Sequence, residues 1–446
     1  MAGKVVTAPA ELRDRLLRVL GGVPATPAPA QLEMLGAAAA QDGMSKHVDL
    51  VATRVTGPVD VTALRAALDS LVARHEALRT HFLLEPRRLM VVRPPEPAWL
   101  DVEEIGDLAQ AAARAATLLA TPVDIRSTEP HHAVLLTRDE HTHVLLAPLR
   151  HLLSDEVSHG VYLRDLAASY AGEPQAECGR YRDHAAAQTA ALADGAGVRR
   201  RVATLAPPLP AMTWPRTPDK RRYRQHTAAA TWTSGWLGEI TRRLAVRGFT
   251  FGILCAAAYA AALHAVTGAK DIRIGTSMAN RGGEHTNTIG LFATMSVLRV
   301  RVSDDDPADE LLHRARTTML GAVEDAVPLA AVLGALREST PGFRASGLYE
   351  ATLTVVNQGR PVPAGSATAF EPVDGFDVDD RPAPAFVPAH LAVRRGTGGR
   401  DTEVRLGYNT DLLTADDAET MLATMAAFLQ VAADHPERVL GAVRDG

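Results

Sequence analysis

His151 and Asp155 stand four positions apart in "LAPLRHLLSDEVSHG" (146–160), a polar turn between an apolar run and a helical one. An imidazole at such a turn can take a proton from an attacking amine or hydroxyl, or stabilise the ammonium formed on attack. Six apolar residues, Val144 to Leu149, lead into it, so the ring of His151 is expected at the inner end of a buried strand with limited solvent. Asp155 falls where a helix begins, and negative charge is favoured there. A structural ion pair is a better role for it than direct action on a substrate. The chain holds sixteen histidines, and about one such pair is expected by chance, so spacing alone leaves catalysis and an ordinary strand-to-helix turn both open.

Other polar clusters carry less. His131 and His132 are adjacent on a strand, face opposite ways and cannot share one site. His141 and His143 share a face but have only Asp139 and Glu140 as neighbouring carboxylates, so no metal is expected there. The charges of "RHEALRTHF" (74–82) sit at a helix exit, where a structural role is the default. Arg199–Arg201 and Lys220–Arg222 read as solvated basic stretches that can at most attract an acidic protein. No phosphate-binding, nucleophile-elbow or dinucleotide glycine pattern falls in a strand–turn–helix setting.

Holding such a turn takes a large scaffold. At 446 residues the chain suits about two domains of ~200 residues each. A charged share of 22% and a hydrophobic share of 46% fit a globular protein, and with only 4% aromatic residues the cores must be aliphatic. A net charge of −5 argues against a general nucleic-acid or membrane-surface role. Cys178 and Cys255 form neither metal-like spacing nor a disulfide framework, as expected in a reducing compartment. "ELRDRLLRVL" (11–20) reads as a short amphipathic helix and not as the apolar core of a signal peptide. The run "FGILCAAAYAAALHAVTG" (251–268) contains His264 and reads as a buried helix, so a cytoplasmic location is expected.

A helix is predicted in "VDVTALRAALDSLVARHEALR" (59–79), where Val61, Leu64, Leu68, Leu71 and Val72 make one apolar face. Strands are predicted at "RLMVVRP" and "THVLLAPL", and after the polar turn Tyr162, Leu163, Leu166 and Tyr170 mark another helix that stops near Gly172. Further on, helices "LGEITRRLAVRG" and 251–267 precede a strand "KDIRIGTSMANR" and its glycine turn "RGGEH". Strands "MSVLRVRV", "ATLTVVNQG" and "TEVRLGYNT" and a closing helix 415–435 complete the pattern. Residues 22–30 read as a Pro-rich lead-in. The Pro-rich, basic and aperiodic segment 206–225 reads as a linker. It divides the chain into two mixed α/β (α+β) lobes, 22–205 and 226–446.

These stretches, in this order, resemble the condensation domains of nonribosomal peptide synthetases, relatives of chloramphenicol acetyltransferase. "TPAPAQLEML" is similar to the opening "SxAQxRLWxL" motif, with Gln31 kept. "RHEALRTHF" resembles "RHExLRTxF", and "YRDHAAAQ" resembles "YxDYAxWQ". "IGTSMANRGGEHTNTIGLFATMSVLRV" resembles the stretch ending "IGxFVNTLVLR", and "RLGYNTDLL" the late "YxTDLF". The resemblance spans about residues 22–440.

The resemblance implies two acetyltransferase-like lobes in a V-shaped pseudo-dimer. The family motif HHxxxDG carries onto this chain with His151 as the catalytic His and Asp155 as the Asp, paired to Arg281 of the "MANRGG" segment. Arg150 stands in place of the first His, Glu156 in place of Gly, and Thr294 where Asn is frequent; all three are expected to line the site. The implied activity is a free-standing condensation enzyme of natural-product or antibiotic biosynthesis, forming an amide or ester. The donor is an acyl group on the phosphopantetheine arm of a separate carrier protein, and the enzyme needs no cofactor of its own. The partners implied are that carrier and a small-molecule or carrier-bound acceptor, with no nucleic acid and no membrane, and a monomer is expected. Two alternatives are a non-catalytic platform that binds a carrier or recruits a tailoring enzyme, and an acyltransferase that uses acyl-CoA.

Overall fold

The computed structural model describes residues 21–443 apart from 46, 86, 218–223, 326, 358–359, 361, 366 and 374–386. The helix expected over 11–20 and the basic run Lys220–Arg222 lie outside these residues. Two compact units separate: the first is the chain to Ala193 with segments 281–292 and 361–377, and the second is 194–280, 293–360 and 378 onward.

In the first unit a six-stranded sheet runs in the order Val362–Ala364, Thr368–Pro372, Val48–Thr56, Thr142–Arg150, His132–Asp139, Trp99–Glu104. Neighbours are antiparallel except the last pair, which is parallel. The two central strands are nearly continuous apolar runs, as expected of strands covered on both faces. Val48 pairs with Arg150 and Asp49 with Leu149, which places the end of one strand beside the start of the polar turn. Helix Val61–Arg74 starts where the Asp60 carboxylate accepts from the N–H groups of Thr62 and Ala63. Its apolar face, with Leu64, Leu68 and Leu71 buried, joins one core with Tyr162, Leu163 and Leu166 of helix Glu156–Tyr170.

The second unit holds another six-stranded sheet, ordered Gln225–Trp232, Thr402–Asn409, Ala389–Arg395, Ala351–Asn357, Asp271–Met278, Thr294–Arg301. Its core centres on helix Phe251–Thr267, whose alanines let helix Ala415–Asp434 and the sheet pack around it. No single helix among the described residues is long and apolar enough to cross a membrane. Cys178 and Cys255 are free thiols.

The units depart from the expected division at 206–225. Met212 and Trp214 of that segment are buried in the second core, and Leu205 of helix Ala196–Leu205 packs with Leu329 and Leu336 of the same unit. The boundary therefore falls at Ala193. The expected lobe 226–446 also gives up two segments. Ile289, Leu291 and Phe292 bury in the first core, and Thr368–Pro372 pairs with Val48–Thr56 as a strand.

Candidate active site

The polar turn is a short 3-10 segment, His151–Leu153, between the strand ending at Arg150 and the helix beginning at Glu156. Gln31 pins it from outside, accepting from the Ala28 N–H through Oε1 and donating through Nε2 to the Leu152 carbonyl at 2.7 Å. Asp155 is the N-cap of the helix, and its Oδ1 accepts from both the backbone N–H and the hydroxyl of Ser158. The same carboxylate takes Arg281 Nη2 at 2.6 Å, with both side chains almost fully buried at 6% and 4% exposure. Oδ2 accepts from the Phe292 N–H at 3.0 Å. Arg281 also donates to the carbonyls of Thr288 and Gly290, and its guanidinium carbon lies 4.1 Å from the Phe292 ring centroid. Gly290 must be glycine there, because a Cβ would sit 2.1 Å from a ring carbon of Tyr181. Asp155 thus caps the helix and forms the expected ion pair, so one carboxylate ties segment 281–292 to the turn.

His151 is 40% exposed through its side chain, so its ring is more open than the apolar run before it leads one to expect. Its Nδ1 faces Asp49 Oδ2 at 2.9 Å. A carboxylate only accepts, so Nδ1 carries the hydrogen and, in the neutral ring, the lone pair is on Nε2. Ser154 Oγ donates to the same Asp49 oxygen at 2.5 Å, and His159 Nε2 lies 3.6 Å from it. Burial disfavours the Asp49 charge, but His151 and His159 outweigh it and hold the carboxyl well below its ordinary range. Burial also opposes charging of His151, and Asp49 overcomes it, leaving His151 above the ordinary imidazole value. For His159 the same contest, with Glu156 adding to Asp49, ends at about 9.

The three motif departures go to different places. Arg150 points away from His151: its Nη1 and Nη2 donate to the carbonyls of Thr80 and Ser127, each at 3.2 Å, beside a cavity that neither His151 nor Asp155 lines. The expectation that Arg150 lines the base's surroundings is corrected by strand alternation, which sends successive side chains to opposite faces. Glu156 takes the first turn of the helix, 62% exposed and 3.6 Å from His159 Nδ1. Thr294 opens a strand of the second unit, is buried, and accepts from the Asn280 amide.

A Condensation domain family model matches residues 24–444. The chain belongs to the condensation-domain family. It is 31% identical over 296 residues to part of the linear gramicidin synthase of Brevibacillus parabrevis, covering 61% of the chain and 4% of that protein. The chain therefore spans only a small part of the length of the curated relatives it matches. Among solved structures, the condensation domain of the monacolin K polyketide synthase MokA is similar at a TM-score of 0.75, with 19% identity and coverage of 94% and 99% of the two chains. The teicoplanin X-domain in complex with OxyB is similar at 0.71, with 23% identity and coverage of 99% and 98%. These likenesses establish the two-sheet, acetyltransferase-like fold.

Within this condensation domain, the motif brings together His151, Asp155 and Arg281 in one unit, on the two elements that the resemblance named. Asp49, Ser154 and His159 complete the surroundings of the base and were not singled out from the sequence. The available signal was an acidic residue inside an otherwise apolar strand, "VDLVA", together with a second imidazole eight positions after the first. The His75 cluster is structural, as its position at a helix exit implied: the buried Asp165 gathers Arg74, His75 and Arg164. His75 Nδ1 accepts from the Ile289 N–H at 3.3 Å, a second tie to segment 281–292. Among the described residues no group of three or more His, Cys, Asp or Glu is arranged to hold a metal.

Proposed function

We propose that this condensation domain transfers an acyl group from the phosphopantetheine thioester of a carrier protein, supplied as a separate chain, to an amine or hydroxyl acceptor. The observation that carries this reading is the 2.9 Å approach of His151 Nδ1 to Asp49, which leaves the Nε2 lone pair on a partly exposed ring. The acceptor nitrogen or oxygen bonds to the thioester carbonyl carbon while its proton passes to Nε2. Collapse of the tetrahedral adduct breaks the carbon–sulfur bond, and Nε2–H returns the proton to the departing sulfur. The products are an amide or ester and a free thiol. Asp49 keeps the ring in the productive tautomer and stabilises the imidazolium formed midway. Asp155 and Arg281 hold the turn and act on no reacting atom.

An intact-mass assay with acyl-loaded carrier and candidate amine and hydroxyl acceptors tests this. Acyl transfer to the acceptor that depends on this protein supports the reading. Equal turnover of acyl-CoA without any carrier would move the donor to a soluble thioester.

The second reading is a non-catalytic platform for a carrier or a tailoring enzyme. Arg150 and Glu156, in place of the family's His and Gly, favour it, and the similar X-domain is solved with OxyB. Carrier or enzyme binding with no bond formation by the wild type is the result that selects it.

A further inference from the structure

Behind the motif strand, on the face opposite His151, the first unit encloses a cavity of about 210 Å³. Three arginines line it, Arg79, Arg93 and Arg150. Arg93 is paired with Glu96 at 2.7 Å. Among the described residues neither of the other two has a carboxylate within ion-pair distance. Arg79 donates to the carbonyls of Val72 and Arg93, and Arg150 to those of Thr80 and Ser127. Charges half out of water and compensated only by neutral carbonyls are costly to keep, and an anion between them removes that cost.

His81 gives a second, independent observation. It lines the same cavity, is only 5% exposed, and its Nδ1 has no hydrogen-bond partner. Burial, with Arg93 and Arg150 close by, keeps this ring below the ordinary imidazole value, so it is a neutral group with an unused ring nitrogen. Buried polar atoms are rarely left unpaired without a ligand, ion or water to meet them.

We infer that this cavity is a binding site for a small organic monocarboxylate, held between Arg79 and Arg150 with His81 against its head. Three guanidinium groups against the carboxylates of Glu96 and Glu129 leave one net positive formal charge, which suits one negative charge better than the two of a phosphate monoester. Val72, Leu78 and Leu149 supply an apolar wall for the body of the acid. The volume lies below the ~300 Å³ at which pockets take drug-sized ligands, so the acid is small. The site is separate from the proposed base and does not depend on that reading.

Calorimetric titration of the whole chain with benzoate, benzamide and inorganic phosphate tests the assignment. Benzoate is expected to bind saturably, and benzamide, of the same shape without the charge, about tenfold or more weaker. Arg150→Gln and, separately, His81→Phe are expected to weaken benzoate by about the same factor, each with its unfolding midpoint measured alongside. The wild-type comparison decides on its own should either variant fail to fold. Equal binding of benzoate and benzamide, binding of phosphate in preference to benzoate, or no binding of benzoate overturns the proposal. So does benzoate affinity unchanged in a folded Arg150→Gln variant.

Discussion

Asp49 and His151 are 102 positions apart in the chain, yet the carboxylate Oδ2 lies 2.9 Å from the ring Nδ1. The contact follows from strand register: Asp49 is opposite Leu149, and His151 is two residues further on the same face. It fixes which nitrogen carries the proton and therefore which one can act as a base. The Asp49 oxygen also receives the Ser154 hydroxyl and lies 3.6 Å from His159, so one buried acceptor organises three groups.

Asp49→Asn is expected to lower the rate of acyl transfer by about ten- to a thousandfold, because the amide can donate to Nδ1 and turn the ring to the wrong tautomer. Its pH–rate profile is the discriminating readout. The carboxylate holds His151 above the ordinary imidazole value, so its loss shifts the acid limb of the profile to lower pH. Asp49→Glu is expected to recover part of the rate. An unshifted limb in Asp49→Asn contradicts the role.

His159→Leu is expected to move the same limb the other way. The cationic ring of His159 lowers the proton affinity of His151, and removing it lets His151 stay protonated to higher pH. Stability gives a second check. His159 is raised from 6.5 to about 9, so what its charge contributes is fully present below 6.5 and is lost as pH rises through about 9. Asp49 is depressed, so its contribution is present above 3.8 and is lost at more acid pH. Urea midpoints across the alkaline window are expected to fall in the wild type and to fall less in His159→Leu.

Arg281→Met is expected to destabilise the protein by about 3–5 kcal/mol, since it leaves the Asp155 carboxylate buried and unpaired. Adding Asp155→Asn to that variant is expected to cost less than the sum of the two single changes. Chemical denaturation of the four proteins measures the coupling, and strict additivity contradicts the pair.

How much of this was legible beforehand depends on distance along the chain. Asp155 and Arg281 could be matched through motifs, because each sits in a run of recognisable residues. Period-2 alternation also separated Arg150 from His151, although it could not show the cavity that receives the arginine. Asp49 was missed because a carboxylate in a strand means nothing until its partner strand and register are known. The Pro-rich composition of 206–225 imitated a linker, yet Met212 and Trp214 provide enough apolar surface to anchor it in a core. Segments 281–292 and 361–377 left their expected lobe because Phe292 and Phe370 bury in the first core, a tertiary choice with no local sign.

Glu156→Gly restores the family residue and is expected to change little. The side chain is 62% exposed at the first turn of its helix, where a carboxylate contributes under about 1 kcal/mol. A rate within about threefold of wild type is the expected outcome by steady-state assay. A large gain in rate would show that Glu156 obstructs the reaction.

The central claim is that His151 moves the proton, and the most direct measurement is single-turnover acyl transfer from a loaded carrier, followed by intact mass for wild type and His151→Ala. The account predicts a fall of about 10²- to 10⁴-fold in the variant with carrier binding unchanged. Full product formation by His151→Ala would contradict it.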